Sequence, residues 1–389
     1  MDRILAKLEV DPKDKGLLGA VNFAFFINGA MVIMLGVLLP YLKADNAFSY
    51  TQAGMLLSAH QVGTFVAVLM AGVLPYAIGR KKSTLLMGSG AILGMTLIVV
   101  LQNIYLLILA FALTGIGRGV LNNVCNLTTS DIAGNKTAAI NILHSGFALG
   151  ALIAPVVVFA YISAAGASGW KLASLTVAVL MSAVLVFIVS SNLPNLPPKS
   201  GGGVSLSFLR EKSFWIPTML LFFYIAVEAS IIGWFVLYFV NAGTLPSGLA
   251  GFVPTMHWLM MMVGRICIAA VSNRIHNKNR ALLIMSLLTI ICFAGMLFST
   301  LALLNVVFLL GIGLSMAGIY PTTMATVGKT INSVSLGFLI AISGLGAIFM
   351  PAIIGAVADI RGLTEAITLL LVALFIMILL VVAKTVNDK

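Results

Sequence analysis

The sequence predicts an all-α membrane protein of twelve transmembrane helices, built as two six-helix halves that repeat one another. Three observations predict it. Of the 389 residues, 61% are hydrophobic and only 8% charged. Soluble domains carry about 25% charged residues, so no water-soluble fold could cover this much apolar surface. Apolar runs of about 20 residues, the length that crosses a hydrocarbon core, recur along the whole chain. One stretch rich in Pro, Gly and Ser, SNLPNLPPKSGGGVS at 191–205, divides those runs evenly.

The first fifteen residues, MDRILAKLEVDPKDK, are charged. The run after them is long enough to span, so 1–15 reads as a cytoplasmic segment and not a cleaved leader. The N-terminal half occupies 16–190, with spans at 16–42, 51–78, 84–102, 104–130, 137–163 and 170–190. A cytoplasmic linker follows at 191–212. The C-terminal half occupies 213–386, with spans at 213–241, 246–273, 281–299, 302–327, 333–358 and 365–386. Each span is a helix, because backbone exposed to lipid must satisfy its own hydrogen bonds.

Charge sets the orientation. The net charge of +11 is not a nucleic-acid signal here, since Lys and Arg mark cytoplasmic loops in membrane proteins. With both termini inside, 17 of the 22 basic residues fall on cytoplasmic segments and only Lys43, Lys171 and Arg361 fall outside. The other two, Arg118 and Arg265, lie within spans. Cys125, Cys267 and Cys292 sit in apolar segments without metal-ligand spacing and read as buried thiols. There is no Walker loop, paired-carboxylate site or serine nucleophile elbow, so enzyme readings fail. No metal or cofactor is expected.

The halves repeat. Gly54-x5-His60 recurs as Gly251-x5-His257, shifted by 197. Gly115-Ile116-Gly117 precedes Pro155 by 40 residues, and Gly311-Ile312-Gly313 precedes Pro351 by 40. Gly150 and Gly346 match between them. Parallel repeats of this kind are a transporter architecture, with the substrate site near the midplane.

The basic loop Gly72-Val-Leu-Pro-Tyr76-Ala-Ile-Gly79-Arg80-Lys81 resembles the loop signature of the major facilitator superfamily, and the chain resembles that superfamily over its whole length. The resemblance implies alternating access and a gating role for Gly79, Arg80 and Lys81. Tyr76 stands where the signature carries an acid. Three further stretches resemble the fucose/glucose-galactose branch of proton symporters. They are Gly117-Arg-Gly-Val-Leu-Asn122-Asn-Val-Cys-Asn126, Ala139-Ile-Asn141-Ile-Leu-His144-Ser-Gly-Phe-Ala-Leu-Gly150 and Tyr224-Ile-Ala-Val-Glu228-Ala-Ser-Ile-Ile-Gly-Trp234. Members of that branch often carry a carboxylate at the position of Asn122. Its absence here puts proton coupling on Glu228.

Glu228 also stands out on its own chemistry. The other ten acidic residues fall in tails, in loops or at span ends. A charge at bilayer depth costs about 2.5–3.5 kcal/mol on insertion scales, so a carboxylate kept there is a candidate functional group. Burial favours its protonated form, as a proton carrier requires. A permanent pair with Arg118 is the structural alternative. Trp234 and Tyr238 follow on the same helix as candidate substrate contacts. Arg118, Asn122 and Asn126 form an i, i+4, i+8 stripe that can bind hydroxyls or a carboxylate. Asn141 and His144 form a second polar face. Asn28, Gln61, His257, Trp258 and Tyr320 complete the candidate substrate contacts, and Arg265 reads as a gate or structural residue. His60 mirrors His257, and Pro321 marks a kink in the tenth span.

The expected function is a secondary transporter performing proton-coupled uptake of a sugar or sugar derivative. A carrier of organic anions or acidic sugars, a drug exporter, and a nutrient sensor or lipid flippase are the alternatives. The expected partners are a small-molecule substrate, protons and the lipid bilayer, with no nucleic acid. The expected state is a monomer in the plasma membrane (the inner membrane of a bacterium), multi-pass, with both termini cytoplasmic.

Overall fold

The protein is described from a computed structural model covering residues 8–71, 73–191, 193, 207–271, 276–327 and 333–387. Six of the basic residues counted above as cytoplasmic (Arg3, Lys7, Lys199, Arg274, Lys329 and Lys389), Gly72 of the basic loop and most of the linker lie outside the described residues.

The described chain is helical, with one isolated bridge between Val10 and Ala133. In the first half the long helices are α1 (Lys15–Asn46), α2 (Tyr50–Ala71), α3 (Arg80–Val100), α4 (Ile104–Ile132), α5 (Lys136–Ala165) and α6 (Gly169–Ser190). In the second they are α7 (Lys212–Ala242), α8 (Val253–Val271), α9 (Lys278–Phe298), α10 (Ala302–Met316 and Ile319–Val327), α11 (Ser333–Arg361) and α12 (Leu363–Ile367 and Leu369–Asn387). Ten stretches of the described residues are long and apolar enough to cross a membrane. One of them, Ala138–Ser190, holds both α5 and α6, and the shorter apolar helix Val253–Ile268 lies in α8. Together they give the twelve spans.

Local chemistry sets the helix ends. Asn103, Asn135 and Asn277 cap α4, α5 and α9, each side chain accepting from backbone N–H groups of the first turn. Those amides have no partner inside the helix, which is why Asn is favoured there. Gly243 ends α7 at φ +64°, a left-handed conformation that costs glycine little. The break in α10 falls at Ala317–Gly318, just ahead of the Tyr320-Pro321-Thr322 sequence expected to interrupt it. Pro321 has no N–H to give the carbonyl of residue 317, so it fits in the first turn of the second piece.

The chain forms two compact units, Met1–Asn46 with Ala59–Lys199, and Ala47–Ser58 with Ser200–Lys389. Their internal packing repeats. In the first unit α1 packs on α5 and α6, and α3 on α4 and α6. In the second α7 packs on α11 and α12, and α9 on α10 and α12. Gly150 faces the backbone carbonyl of Phe26, and Gly346 faces that of Phe222, so the same backbone approach recurs 196 residues later. Hydrocarbon supplies no hydrophobic drive between helices, and small residues let backbones close up instead. Of the three cysteines only Cys125 is buried; Cys267 is exposed and Cys292 half-buried, since an apolar span accepts a thiol on its outer face as readily as inside.

The second unit also contains the first turns of α2. The Asp359 carboxylate accepts from the N–H groups of Tyr50 (2.7 Å) and Thr51 (2.8 Å), capping that helix. Asn241 donates to the Tyr50 hydroxyl at 2.8 Å, and Ser58 donates to the Ile348 carbonyl at 2.6 Å.

A methyl group at Gly346 would overlap the Phe222 carbonyl, whereas one at Gly337 on the same helix meets nothing within 4 Å. Gly346→Ala is expected to destabilise by about 1–3 kcal/mol, the usual cost of overpacking. Gly337→Ala is expected to melt with the wild type. Thermal unfolding of the purified proteins in detergent distinguishes the two.

Candidate functional site

Both units carry polar side chains on their apolar helices. In the second unit a cluster of them begins on α7. Tyr224 and Glu228 are one turn apart and share a helix face. The Tyr224 hydroxyl donates to Glu228 Oε1 at 3.3 Å, and it lies 3.9 Å from the sulfur of Met261 on α8. Tyr224 is 1% exposed, so its ring is fixed in the packed interior, while Glu228 is half-buried. Tyr320, in the first turn after the α10 break, has its ring centroid 6.0 Å from that of Tyr224.

Arg265 on α8 supplies the positive charge. It is close enough to Tyr224, Tyr320 and His257 to act on each electrostatically. It also sits over the Trp258 ring at 5.9 Å, a cation–π arrangement between residues seven apart on one helix. Glu228, Tyr224, Arg265, Trp258 and Tyr320 thus form one constellation drawn from three helices.

The cluster in the first unit centres on α4. Arg118 Nη1 donates to Gln61 Oε1 on α2 at 3.2 Å. Two turns further, Asn126 donates to the backbone carbonyl of Asn122 at 2.7 Å and pairs through Oδ1 with His144 Nε2 on α5 at 3.2 Å. Asn141, one turn before His144, is exposed, as are Asn122 and His144. The His144 ring packs edge-on against Phe25 at 5.1 Å. The two predicted polar faces of α4 and α5 therefore meet at Asn126 and His144.

The remaining candidates are buried. Asn28 is 1% exposed, and its Oδ1 has no hydrogen-bond partner among the described residues. Trp234 packs against Tyr50 at 6.4 Å, and Tyr238 packs against Phe235 and Phe239. Both belong to the interior of the second unit. The mirrored histidines differ. His60 Nδ1 pairs with Thr114 Oγ1 at 2.8 Å. Thr114 gives its own proton to the Phe111 carbonyl at 2.6 Å, so His60 is the donor. Neither ring nitrogen of His257 has a hydrogen-bond partner among the described residues.

The basic loop has its own pair. Gly79, at φ +88°, turns the chain into α3. Arg80 is buried and donates to Asp131 (2.8 Å) and Thr128 (2.9 Å), both near the end of α4. Lys81 is exposed. The loop itself offers no acid at Tyr76, and Asp131 supplies one from the neighbouring helix. Tyr224, Asp131 and Thr114 were not among the candidates. Tyr224 was available as the i−4 neighbour of Glu228, whereas nothing in spacing joins Arg80 to Asp131. Among the described residues no group of three His, Cys, Asp or Glu could hold a metal ion.

Twelve apolar helices in two repeated units, with polar side chains grouped on them, are the architecture of a multi-pass membrane protein. Comparison with known proteins identifies the group. The Major Facilitator Superfamily model matches residues 21–334, and the chain belongs to that superfamily. It is 24% identical over 379 residues to the membrane protein MosC of Rhizobium meliloti, covering 92% of this chain and 88% of that one. It is 26% identical over 329 residues to the 3-(3-hydroxy-phenyl)propionate transporter of Escherichia coli, covering 79% and 78%. Among solved structures, the nucleoside transporter NupG superposes with a TM-score of 0.74 at 14% identity, covering 97% of this chain and all of that one. That last likeness is one of fold.

Asp131→Asn is expected to lower stability by about 1–3 kcal/mol, the loss for a hydrogen bond to a charged group. Combined with Arg80→Gln, it should cost less than the sum of the single changes, because the two share one interaction. Melting curves of the three variants test this, and additive losses would show that the pair contributes no coupling.

Proposed function

We propose that the protein is a proton-coupled carrier of small organic acids, with Arg265 as the anion contact and Glu228 as the proton site. The supporting observation is the guanidinium stacked on Trp258 in the same cluster as a half-buried carboxylate. An arylcarboxylate fits that chemistry at both ends. Its carboxylate can take paired N–H donors from Arg265, and its ring can lie beside Trp258 and Tyr320. An anion moving with one proton carries no net charge, which removes the cost of taking a bare carboxylate across hydrocarbon. The name of the Escherichia coli relative, a carrier of an arylpropionate, points the same way. The basic residues on alternate loops support cytoplasmic termini.

The second reading is sugar uptake in the manner of the fucose/glucose-galactose branch. It is favoured by the first unit, where Gln61, Asn122, Asn126, Asn141 and His144 offer the mixed donors and acceptors that hydroxyls need.

Proteoliposomes with an inward proton gradient separate the two. Labelled benzoate is expected to accumulate, and glucose and fucose are not. Arg265→Gln is expected to reduce benzoate transport efficiency at least about tenfold, the equivalent of one lost hydrogen bond to a charged group. Glu228→Gln is expected to abolish gradient-driven accumulation. Uptake of the neutral sugars without benzoate would establish the second reading and contradict the first.

A further inference from the structure

We infer that His257 selects, among organic acids, those that carry a ring hydroxyl; this rests on the organic-acid reading above. His257, Met261 and Arg265 stand at i, i+4 and i+8 on α8, so they form one stripe along that helix. Two contacts fix where the stripe looks. The Met261 sulfur lies 3.9 Å from the Tyr224 hydroxyl, which donates to Glu228. The Arg265 guanidinium sits over the Trp258 ring at 5.9 Å, leaning back as long helical side chains do toward the N-terminus, and Trp258 is the residue next to His257. The imidazole therefore shares with the guanidinium the face of α8 that meets Tyr224 on α7.

The imidazole is enclosed, at 0% exposure, and neither ring nitrogen has a hydrogen-bond partner among the described residues. The internal repeat shows what is missing. His60, its counterpart, pairs through Nδ1 with Thr114 Oγ1 at 2.8 Å, and the next residue, Gly115, lies against the His60 carbonyl. On α10 the glycine against the His257 carbonyl is Gly313, and the residue before it is Ile312. Counting 196 residues on from Thr114 gives Leu310, which is apolar as well. The second unit thus keeps the histidine and drops the hydroxyl that pairs with it. Unmet polar atoms in an apolar interior are costly, so a guest that brings a hydroxyl gains what the bare imidazole lacks.

A hydroxylated arylcarboxylate supplies that group. With its carboxylate on Arg265, its ring lies along Met261 and Trp258, and the hydroxyl at the far edge reaches His257. Thioether sulfur and indole are both favourable neighbours for an aromatic ring. In either tautomer a neutral imidazole has one donor and one acceptor, and a phenolic hydroxyl can meet either. An acid without the hydroxyl leaves both nitrogens unmet. Sites that hydrogen-bond a substrate hydroxyl reject the analogue lacking it for this reason.

The test is transport by the full-length protein in liposomes with an inward proton gradient, comparing benzoate with 3- and 4-hydroxybenzoate. The quantity read is the transport efficiency of the better hydroxybenzoate divided by that of benzoate. Both are measured on one preparation, so losses of folded protein cancel. The wild-type ratio is expected to be about ten or more. In His257→Phe, which keeps a flat ring and removes both nitrogens, it is expected to fall to about one. His257→Gln, which keeps a donor and an acceptor, is expected to hold it between those two values. A wild-type ratio near one, or an unchanged ratio in His257→Phe, would overturn the role and leave the organic-acid reading standing. A wild-type protein that moves none of the three acids would overturn that reading and this inference with it; that failure appears before any variant is made.

Discussion

Hydrocarbon offers a backbone amide nothing to bond to. That single constraint makes every span a helix. It also removes the hydrophobic drive between helices, so packing must come from close contact. The chain meets this demand with glycine at the places where backbones approach. Gly150 against Phe26 and Gly346 against Phe222 are one solution used twice. Gly29 against the Phe147 backbone and Gly63 against that of Ala112 extend it in the first unit. The repeat is thus visible as shared contact geometry as well as shared spacing.

The same solvent makes each polar side chain costly, and the protein groups those it keeps. Arg80 is matched by Asp131 and Thr128 at the end of the spans. Arg118 meets Gln61, and Asn126 meets His144. Tyr224 meets Glu228, and Arg265 meets the Trp258 ring.

Much of this was legible in sequence, because composition and period report on solvent. The long apolar runs gave helices whose ends fall within four residues of those observed, except that α2 ends at Ala71 instead of 78 and α8 begins at Val253 instead of 246, a short separate helix occupying Leu74–Ile78 and another Ser247–Ala250; the intramembrane carboxylate drew attention to α7. The break in α10 was anticipated through Pro321 and lies just before it, where the missing N–H takes effect. Pairings between helices were not legible. Trp234 and Tyr238 share α7 with Glu228, yet they pack into the interior among Tyr50 and the neighbouring phenylalanines. Tyr224, one turn earlier, does reach the carboxylate. Asp131 could not be assigned to Arg80 from spacing, since 51 residues separate them. Contacts of that kind depend on which helices meet, and period alone does not encode it.

If Glu228 is the proton site, one acid binds together with one proton. Calorimetric titration of the purified protein with benzoate, in buffers of different ionisation enthalpy, counts the protons taken up on binding. About one proton per benzoate bound is expected near neutral pH in the wild type, and none in Glu228→Gln. Binding without proton uptake in the wild type, or undiminished uptake in the variant, would contradict that coupling.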